Sequence, residues 1–470
     1  MKSKFFIILI FFTFVCCTLP GCSSGGVCLD YPYEFVFPLE KATVHDPSVF
    51  YDELTQKYYA FGSHFAVASS DYLITWKQEV SEYYQPEKIF GTKDFRSVLV
   101  KSDAFNGRSG NINSTWAPDV IRYGDKYYMY YALTSAFGSG KSCIGRVSSD
   151  NVLGPYSNEE VLIYSHDLWW EEPNAIDPEL FYDKNGRLWM VYGSYFAGIY
   201  VKELHNSGEK FGLPKENGFG KKVWWDGYSS GVEGPFIFYA EETGYYYLMV
   251  SEGNLASNYN MRIARSKNPD GPYVDVTGND VVAPDGKGNK LSSNYRFSRE
   301  GIGHVALGHN SVIKRNGEYF CIYHERYSIN NKIAQYYNVK TRKLYFNEDG
   351  WPMLAVNEYR GEREDAIKRA DVFGDYDVII HHEKTIDDVK ISEKYTFSET
   401  GAILKDKIKV GSYNVKMNNF ITLRIDGVVF KGKLSYNWVD YLNGVSIAVS
   451  AVSKTGQPLF ANKIISFEGE

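Results

Sequence analysis

One short pattern occurs five times along this chain of 470 residues and constrains its fold more than any other feature. Each copy begins with a polar residue, usually beside a proline, and continues as an apolar run, a turn and an aromatic strand. The five copies begin at Asp46, Asp119, Asp177, Glu233 and His309. Apolar and aromatic residues on both sides of a polar turn predict a β-hairpin, so the sequence predicts five hairpins.

The spacing of the copies predicts how the hairpins are arranged. Successive copies are 56 to 76 residues apart, and a third strand follows several of the hairpins. Sheets that recur at a nearly constant spacing are typical of a radial array, and about four strands per sheet make a propeller. We therefore predict an all-β protein that begins with a five-bladed β-propeller. The first strand of each blade lines the central channel, so we expect the five leading residues to converge on one face.

The pattern ends near residue 352, and the chain that follows is of a different kind. Residues 362–371 are charged, and short alternating apolar runs continue from about residue 376 to the end. Alternation of this kind predicts strands. We therefore expect the propeller over residues 22–370 and a small C-terminal all-β domain, a sandwich or a barrel, over residues 371–470.

The first 21 residues have the composition of an export signal. Two lysines precede an apolar stretch over residues 5–15, which is too short to predict a membrane span. Residues 19–22, Leu-Pro-Gly-Cys, resemble a bacterial lipobox, in which the cysteine becomes the lipidated first residue of the mature protein. We predict a signal peptide over residues 1–21 and a lipid anchor at Cys22 that holds the exported protein at the outer membrane, on its periplasmic face or at the cell surface. An ordinary secretory peptide is the alternative.

Composition argues against one class of partner and favours another. The net charge is −6 and the sequence contains no basic stripe, which argues against a nucleic-acid partner. It contains neither a phosphate-binding nor a dinucleotide-binding motif. The aromatic fraction of 16% suits both β-structure and stacking on sugar rings.

Four of the leading residues carry a carboxyl group, and three of them, Asp46, Asp177 and Glu233, are the catalytic candidates. Paired carboxyl groups suggest glycoside hydrolysis. Glu233 lies among apolar and small residues, which raise the pKa of a carboxyl and suit a proton donor, so Asp46 is expected to be the base. The two lie on non-adjacent blades, which favours the wide separation of an inverting enzyme, roughly 6.5–9.5 Å. Asp177 is expected to add the negative charge that keeps Glu233 protonated. Each residue taken alone could be structural; their recurrence at matching positions favours catalysis.

These motifs resemble those of family 43 of the glycoside hydrolases, and the resemblance covers about residues 40–355. Within that family the sequence is most similar to the endo-1,5-α-L-arabinanases. The matching segments are His45-Asp46-Pro47-Ser48, Trp116-Ala117-Pro118-Asp119, Asn174-Ala175-Ile176-Asp177-Pro178, Val232-Glu233-Gly234-Pro235 and Gly308-His309-Asn310-Ser311-Val312.

The resemblance implies a five-bladed propeller, an inverting mechanism and a role for each of the leading residues. Asp46 matches the general base and Glu233 the general acid. Asp177 matches the residue that modulates the pKa of the acid and orients it. His309 matches a histidine that helps to hold a hydrated calcium near the catalytic centre, so calcium is the expected cofactor.

The same resemblance implies substrate contacts. Trp116 and Asn174 are expected to contact the sugar chain. Ser194 and Tyr195 belong to a segment that resembles one bordering the arabinanase cleft. Arg326 is a further candidate for a contact to a sugar hydroxyl.

We therefore expect cleavage of internal α-1,5-L-arabinofuranosidic bonds in arabinan, a side chain of pectin. An exo-acting arabinanase, an α-L-arabinofuranosidase or a β-xylosidase would use the same site. A non-catalytic glycan-binding lipoprotein is the alternative from another class, but a protein that only binds needs neither an acid nor a base. The sequence does not distinguish endo from exo action, because that depends on whether the loops leave both ends of the cleft open.

Overall fold

The computed structural model describes residues 42–81, 85–106, 114–168, 170–225 and 231–465. The predicted signal peptide and Cys22 lie outside these residues. Within them, every helix is too short or too polar to cross a lipid bilayer.

Four antiparallel sheets of four strands follow one another along the chain, and each begins with one of the predicted hairpins. The first sheet contains β1 (Ser48–Asp52), β2 (Lys57–Gly62), β3 (Ala66–Ser70) and β4 (Lys77–Val80). The second contains β5 (Thr115–Tyr123), β6 (Lys126–Thr134), β7 (Lys141–Ser149) and β8 (Ser157–His166). The third contains β9 (Glu179–Tyr182), β10 (Leu188–Tyr192), β11 (Ile199–Leu204) and β12 (Lys221–Trp224). The fourth contains β13 (Val232–Ala240), β14 (Tyr245–Glu252), β15 (Asn260–Ser266) and β16 (Asn289–Lys290).

The fifth hairpin belongs to a larger sheet of seven strands, so the prediction of five regular blades needs a correction. The hairpin itself is β18 (Gly303–Arg315) and β19 (Glu318–Ile329). The other strands are β17 (Tyr295–Arg296), β20 (Lys332–Ile333), β21 (Asn338–Phe346), β22 (Pro352–Leu354) and β24 (Lys390–Ile391). The last of these comes from the C-terminal part of the chain and pairs with β17 in parallel. A local repeat predicts the hairpin, but it carries no information about a strand that a distant segment adds.

The C-terminal domain is a closed barrel of eight strands, which confirms the predicted all-β domain. Its strands are β23 (Gly374–Ile380), β25 (Glu393–Phe397), β26 (Ala402–Lys405), β27 (Ile408–Val415), β28 (Phe420–Ile425), β29 (Val428–Val439), β30 (Gly444–Ser453) and β31 (Pro458–Lys463). The pairing of β23 with β31 closes the barrel. Buried apolar side chains such as Leu423, Ile447 and Val449 fill its interior.

The helices are short and lie in the connections. They are α1 (Pro86–Phe90) and α2 (Val100–Asn106), which lie between the first two sheets, and α3 (Arg369–Val372), which precedes the barrel. Single turns of 3₁₀ helix cover Ser63–Phe65, Phe95–Ser97, Met417–Asn419 and Asp440–Leu442.

Apolar cores between neighbouring sheets hold the first strands around a common axis. Side chains of the first and second sheets, the second and third, and the third and fourth form three continuous buried clusters. Two further clusters join the seven-stranded sheet to the fourth sheet and to the first. The first strands contact one another in order, from β1 through β5, β9 and β13 to β18, and β18 contacts β1. This packing brings residues at the starts of distant repeats together.

Candidate catalytic site

The sequence predicts that the five leading residues converge, and four of them meet in one cleft. Asp46, Asp177, Glu233 and His309 line a cavity of about 480 Å³. Asp46 and Asp177 precede β1 and β9, Glu233 lies in β13 and His309 in β18. The two aspartates and the histidine are buried, and Glu233 is partly buried.

The backbone at these positions explains how the side chains are presented. Asp46, Asp177, Gly234 and His309 have φ of 56°, 56°, 56° and 48°, a left-handed conformation that is uncommon outside glycine. The position in the fourth repeat that is equivalent to the aspartates is therefore Gly234, and Glu233 is displaced by one residue. A Cβ at Gly234 would lie 2.9 Å from Cγ of His309, which accounts for the glycine.

The fifth leading residue, Asp119, faces the interior of the propeller. Its Oδ1 accepts a hydrogen bond from the hydroxyl of Ser48 at 2.8 Å, and its Oδ2 accepts one from the backbone N–H of Leu180 at 2.9 Å. Burial raises the pKa of Asp119 to about 7. These contacts join three blades, so Asp119 has a structural role.

Asp46 is surrounded by groups that stabilise its ionised form. Its Oδ1 lies 3.0 Å from Nδ1 of His309 and 3.2 Å from Nε2 of His45, and its Oδ2 accepts a hydrogen bond from Ser63 at 2.5 Å. Burial alone would raise the pKa of Asp46, but the charge of His309, followed by that of His45, holds it well below its usual range. Burial likewise opposes protonation of His309, yet the carboxylate of Asp46 raises its pKa to about 9. At neutral pH the two form an ion pair.

The surroundings of Glu233 and Asp177 instead favour the neutral form of the carboxyl group. Burial, and then the charge of Asp46, raise the pKa of Glu233, while the charge of His309 partly offsets the shift. Burial and the charges of Glu233 and Asp46 raise the pKa of Asp177 to about 8. The hydroxyl of Ser194 donates to Oε2 of Glu233 at 2.9 Å, and the backbone N–H of Gly234 donates to Oδ2 of Asp177 at 3.1 Å. The cleft therefore holds an ionised Asp46 and a carboxyl pair that favours its protonated form.

The sequence attributed the raised pKa of Glu233 to its apolar surroundings and to the charge of Asp177. In the structure burial is the main cause, and the charge that raises the pKa further is that of Asp46, which is itself kept ionised. The modulating and orienting role of Asp177 stays a prediction. The hydrogen bond that it accepts from Gly234 connects it to the residue next to the acid.

Four predicted substrate residues line the same cleft, namely Trp116, Asn174, Ser194 and Tyr195. Trp116 is half-buried, and its indole N–H donates to Thr134 Oγ1 at 2.8 Å. Tyr195 is 38% exposed. Fixed aromatic rings beside polar side chains suit a sugar chain, which presents apolar faces and hydroxyl groups.

Arg326 is not among the residues that line the cleft. Its Nη1 donates to the carbonyl of Ala334 at 2.8 Å, and its guanidinium lies 4.1 Å from the centre of the Tyr337 ring. That ring stacks on His45 with 4.1 Å between centroids. Arg326 therefore supports the ring of His45 through Tyr337, and the structure does not bring it to a sugar hydroxyl.

The sequence reasoning did not select two aromatic residues of the cleft. Phe137 and Trp170 also line the cavity and are 80% and 50% exposed. Phe137 follows β6 and Trp170 follows β8, so both lie in connections between strands. Large aromatic residues in polar loops are a sequence signal that would have identified them.

Among the residues that the structure describes, His45, Asp46 and His324 form one group whose donor atoms lie within 4.8 Å of one another, close enough to hold a metal ion. Burial lowers the pKa of His45 to about 4 and lowers that of His324 well below its usual range, which favours the neutral imidazole that binds metals. Within the described residues, Nε2 of His324 is buried without a hydrogen-bond partner, whereas Nε2 of His45 lies 3.2 Å from Oδ1 of Asp46. Calcium prefers several oxygen ligands, and this set offers only one carboxylate. The set therefore fits a divalent cation whose remaining ligands are water molecules.

The fold and this cleft define a class of protein. A propeller that presents an ionised carboxylate and a second carboxyl of raised pKa in one cleft has the catalytic pair of a glycoside hydrolase. The chain belongs to glycoside hydrolase family 43: the model described as "Glycosyl hydrolases family 43" matches residues 36–352. A second model, described as "C-terminal lipocalin-like domain", matches residues 356–461.

Relatives of known activity span both domains. The chain is 35% identical over 434 residues to the extracellular endo-α-(1→5)-L-arabinanase of Thermotoga petrophila, which covers 84% of this chain and 88% of that protein. It is 31% identical over 458 residues to the extracellular endo-α-(1→5)-L-arabinanase 2 of Bacillus subtilis, covering 90% and 93%. The crystal structure of the endo-1,5-α-L-arabinanase from Thermotoga petrophila superposes with a TM-score of 0.83 at 32% identity, covering 92% of this chain and 100% of that one.

Proposed function

We propose that this protein is an inverting endo-1,5-α-L-arabinanase that cleaves internal bonds of arabinan or of arabino-oligosaccharides. One observation carries the proposal: His309 keeps Asp46 ionised in the same cleft in which burial raises the pKa of Glu233. The names of two relatives, at 35% and 31% identity, support arabinan as the substrate and endo action as the mode.

The reaction uses the two carboxyl groups in complementary states. The Asp46 carboxylate removes a proton from a water molecule, and the water oxygen bonds to the anomeric carbon of the arabinofuranosyl residue. The bond from that carbon to the glycosidic oxygen breaks, and Glu233 gives its proton to the departing oxygen. The product has inverted configuration, and proton exchange with solvent restores both carboxyl groups. Ser63 and His309 position the base, and Ser194 positions the acid.

We infer that a divalent cation, with calcium as the predicted ion, binds beside the base at His45, Asp46 and His324. His309, the ligand that the sequence predicts, is engaged in the ion pair with Asp46. When bound, the cation adds positive charge that favours the ionised form of Asp46. The buried Nε2 of His324, which has no hydrogen-bond partner among the described residues, supports this placement.

The experiment that tests the function is an early product profile on linear arabinan. An endo enzyme releases oligosaccharides of several lengths from the start, whereas an exo enzyme releases one short product. Proton NMR of the first products, recorded before mutarotation, shows whether the anomeric configuration is inverted. Retention would refute Asp46 as a base, since it would then act as a nucleophile. Activity on aryl xyloside without activity on arabinan would favour the β-xylosidase alternative.

We also infer that the protein is exported and held at a membrane by a lipid on Cys22. The lipobox-like residues 19–22 support the anchor, and two relatives named as extracellular support export. Cys22→Ala should move the protein from the detergent phase to the aqueous phase in a phase-partition assay. If the variant partitions like the parent, the anchor is wrong.

We further infer that the seven-stranded sheet takes the position of a fifth blade and that the chain divides into two domains near residue 370. Contacts of β18 with both β13 and β1 support the first inference. The start of the barrel at Gly374 supports the second. Limited proteolysis that releases a stable C-terminal fragment beginning near that residue would agree with the division, and early cleavage within β30 would contradict it.

A further inference from the structure

A second cavity, of about 1050 Å³, lies between the fourth sheet and the C-terminal barrel. On the propeller side it is lined by the turn after β14 and by the loop that follows β15, residues 275–288. On the barrel side it is lined by residues 383–385 and 455–456. The mechanism proposed above uses none of these segments, so the cavity has no assigned role.

This interdomain cavity adjoins the catalytic cleft. Tyr195 and Asn254 line both of them. The hydroxyl of Tyr195 donates to the carbonyl of Gly253 at 3.0 Å, which fixes the partly exposed ring at the boundary. A chain that leaves the cleft past Tyr195 therefore enters the interdomain cavity.

Polar side chains form part of the lining of the cavity, and hydrogen bonds between the two domains lie beside them. Lys290 is 2% exposed, and its Nζ donates to the backbone carbonyl of Lys384 at 2.9 Å. Arg262 is buried and forms an ion pair with Glu252. Thr385 accepts a hydrogen bond from Asn260 at 3.0 Å. Polar groups that are already fixed by partners bind a ligand without losing much side-chain entropy.

The size and charge of the cavity indicate the class of ligand. Typical small-molecule pockets have volumes of about 300–1,000 Å³, so this one is large enough for several sugar rings. Acidic and basic side chains both line it, among them Asp275, Asp285, Lys287 and Lys290. A surface with both signs of charge suits neutral hydroxyl groups, which donate and accept hydrogen bonds, better than it suits an anion.

We propose that the interdomain cavity binds the part of the arabinan chain that extends beyond the catalytic cleft, and that the barrel thereby supplies part of the substrate-binding surface. This inference rests on the proposed function and deepens it. It predicts that long chains gain binding energy from the barrel and that short oligosaccharides, which occupy only the cleft, do not.

Two substitutions that fill the cavity test this proposal from opposite sides. Asp285→Trp acts from the propeller and Lys384→Trp from the barrel, and both side chains are exposed. Asp388→Trp is the matched control, because Asp388 is exposed on the same barrel segment but does not line the cavity. We expect kcat/KM on long linear arabinan to fall about tenfold in both test variants, the size of one or two lost hydrogen bonds. On the shortest oligosaccharide that the parent cleaves, all three variants should match the parent.

Several outcomes would overturn the proposal. The cavity has no role in substrate binding if kcat/KM falls equally on long and short substrates. The same conclusion follows if kcat/KM falls on neither and thermal melting shows that the variants are folded. A loss on long chains in the control as large as in the test variants would also exclude such a role. In a second measurement, calorimetry on the inactive Glu233→Gln protein, affinity should rise with oligosaccharide length, and the rise should disappear when Asp285→Trp is added. If the unmodified protein cleaves no arabinan, the proposed function fails instead.

Discussion

Ser194 offers a direct test of the assignment of Glu233 as the acid. Its hydroxyl donates to Oε2 of Glu233 at 2.9 Å, and the serine is buried. A hydrogen bond donated to a carboxylate favours the ionised form, so this contact lowers the pKa of Glu233. Ser194→Ala removes the bond and adds no bulk. We expect it to raise the pKa of Glu233 further above its usual value.

The size of this shift follows from the strength of the bond. A buried hydrogen bond contributes about 1 kcal/mol, and one pKa unit corresponds to about 1.4 kcal/mol. The pKa of Glu233 should therefore rise by about 0.5 to 1 unit. Loss of the proton from the acid sets the alkaline limb of the pH–rate profile, so this limb should move to higher pH by the same amount. Asp177 titrates together with Glu233, so the limb reports the pair.

The assay is kcat/KM for an arabino-oligosaccharide as a function of pH, which reports the free enzyme. Ser142→Ala is the matched control, because the hydroxyl of Ser142 donates to Oδ1 of Asn174 at 2.6 Å and not to a carboxyl. The control should lower kcat/KM without moving the alkaline limb. If the limb in Ser194→Ala stays in place or moves to lower pH, Glu233 is not the group that sets it.

Three further predictions follow from the same geometry. Asp46→Ala and Glu233→Ala should each lower the activity on arabinan by about 10²–10⁴-fold. An aryl arabinoside whose phenol is acidic needs no proton donor, so it should restore activity only to Glu233→Ala. Recovery by Asp46→Ala would show that the roles of the two residues are reversed. Chelation of divalent cations should lower both activity and Tm, and His324→Gln should make the protein insensitive to added calcium. If this variant responds to calcium as the parent does, the cation binds at another place. Burial raises the pKa of Glu179 well above its usual value, so the folded protein loses stability as pH rises above the unfolded pKa. Glu179→Gln should therefore raise Tm relative to the parent more at about pH 8 than at about pH 5, and an equal difference would contradict this reasoning.

The hairpins were predictable because each one pairs residues that are close in the chain. The pairing of β1 with β2, and of β18 with β19, joins residues on either side of a short polar turn. The seven-stranded sheet was not predictable, since β24 reaches β17 from the other domain. No local pattern specifies which distant edge such a strand will join.

Within the site, too, local positions were predictable from the sequence and contacts between distant segments were not. The residues that open equivalent strands were predicted to meet, because the repeat makes their positions equivalent. His324 lies in the middle of β19, and it reaches Asp46 only because the seven-stranded sheet packs against the first. Arg326, two residues further along the same strand, is instead held by Ala334 and Tyr337. The sequence places both residues on one strand but does not say which of them reaches Asp46.

By itself, the sequence determined which residue types stand at the starts of the repeats, because residue identity and spacing are local properties. Only the tertiary structure decided how those residues are charged. Asp46 and Asp177 both precede proline and both have φ of 56°, yet their pKa values shift in opposite directions. Both are buried, and burial favours the neutral form of each. The difference arises because His309 forms an ion pair with Asp46, whereas at Asp177 its charge only partly offsets burial and the charges of Glu233 and Asp46. These neighbours come from other blades, and the packing of the blades brings them together.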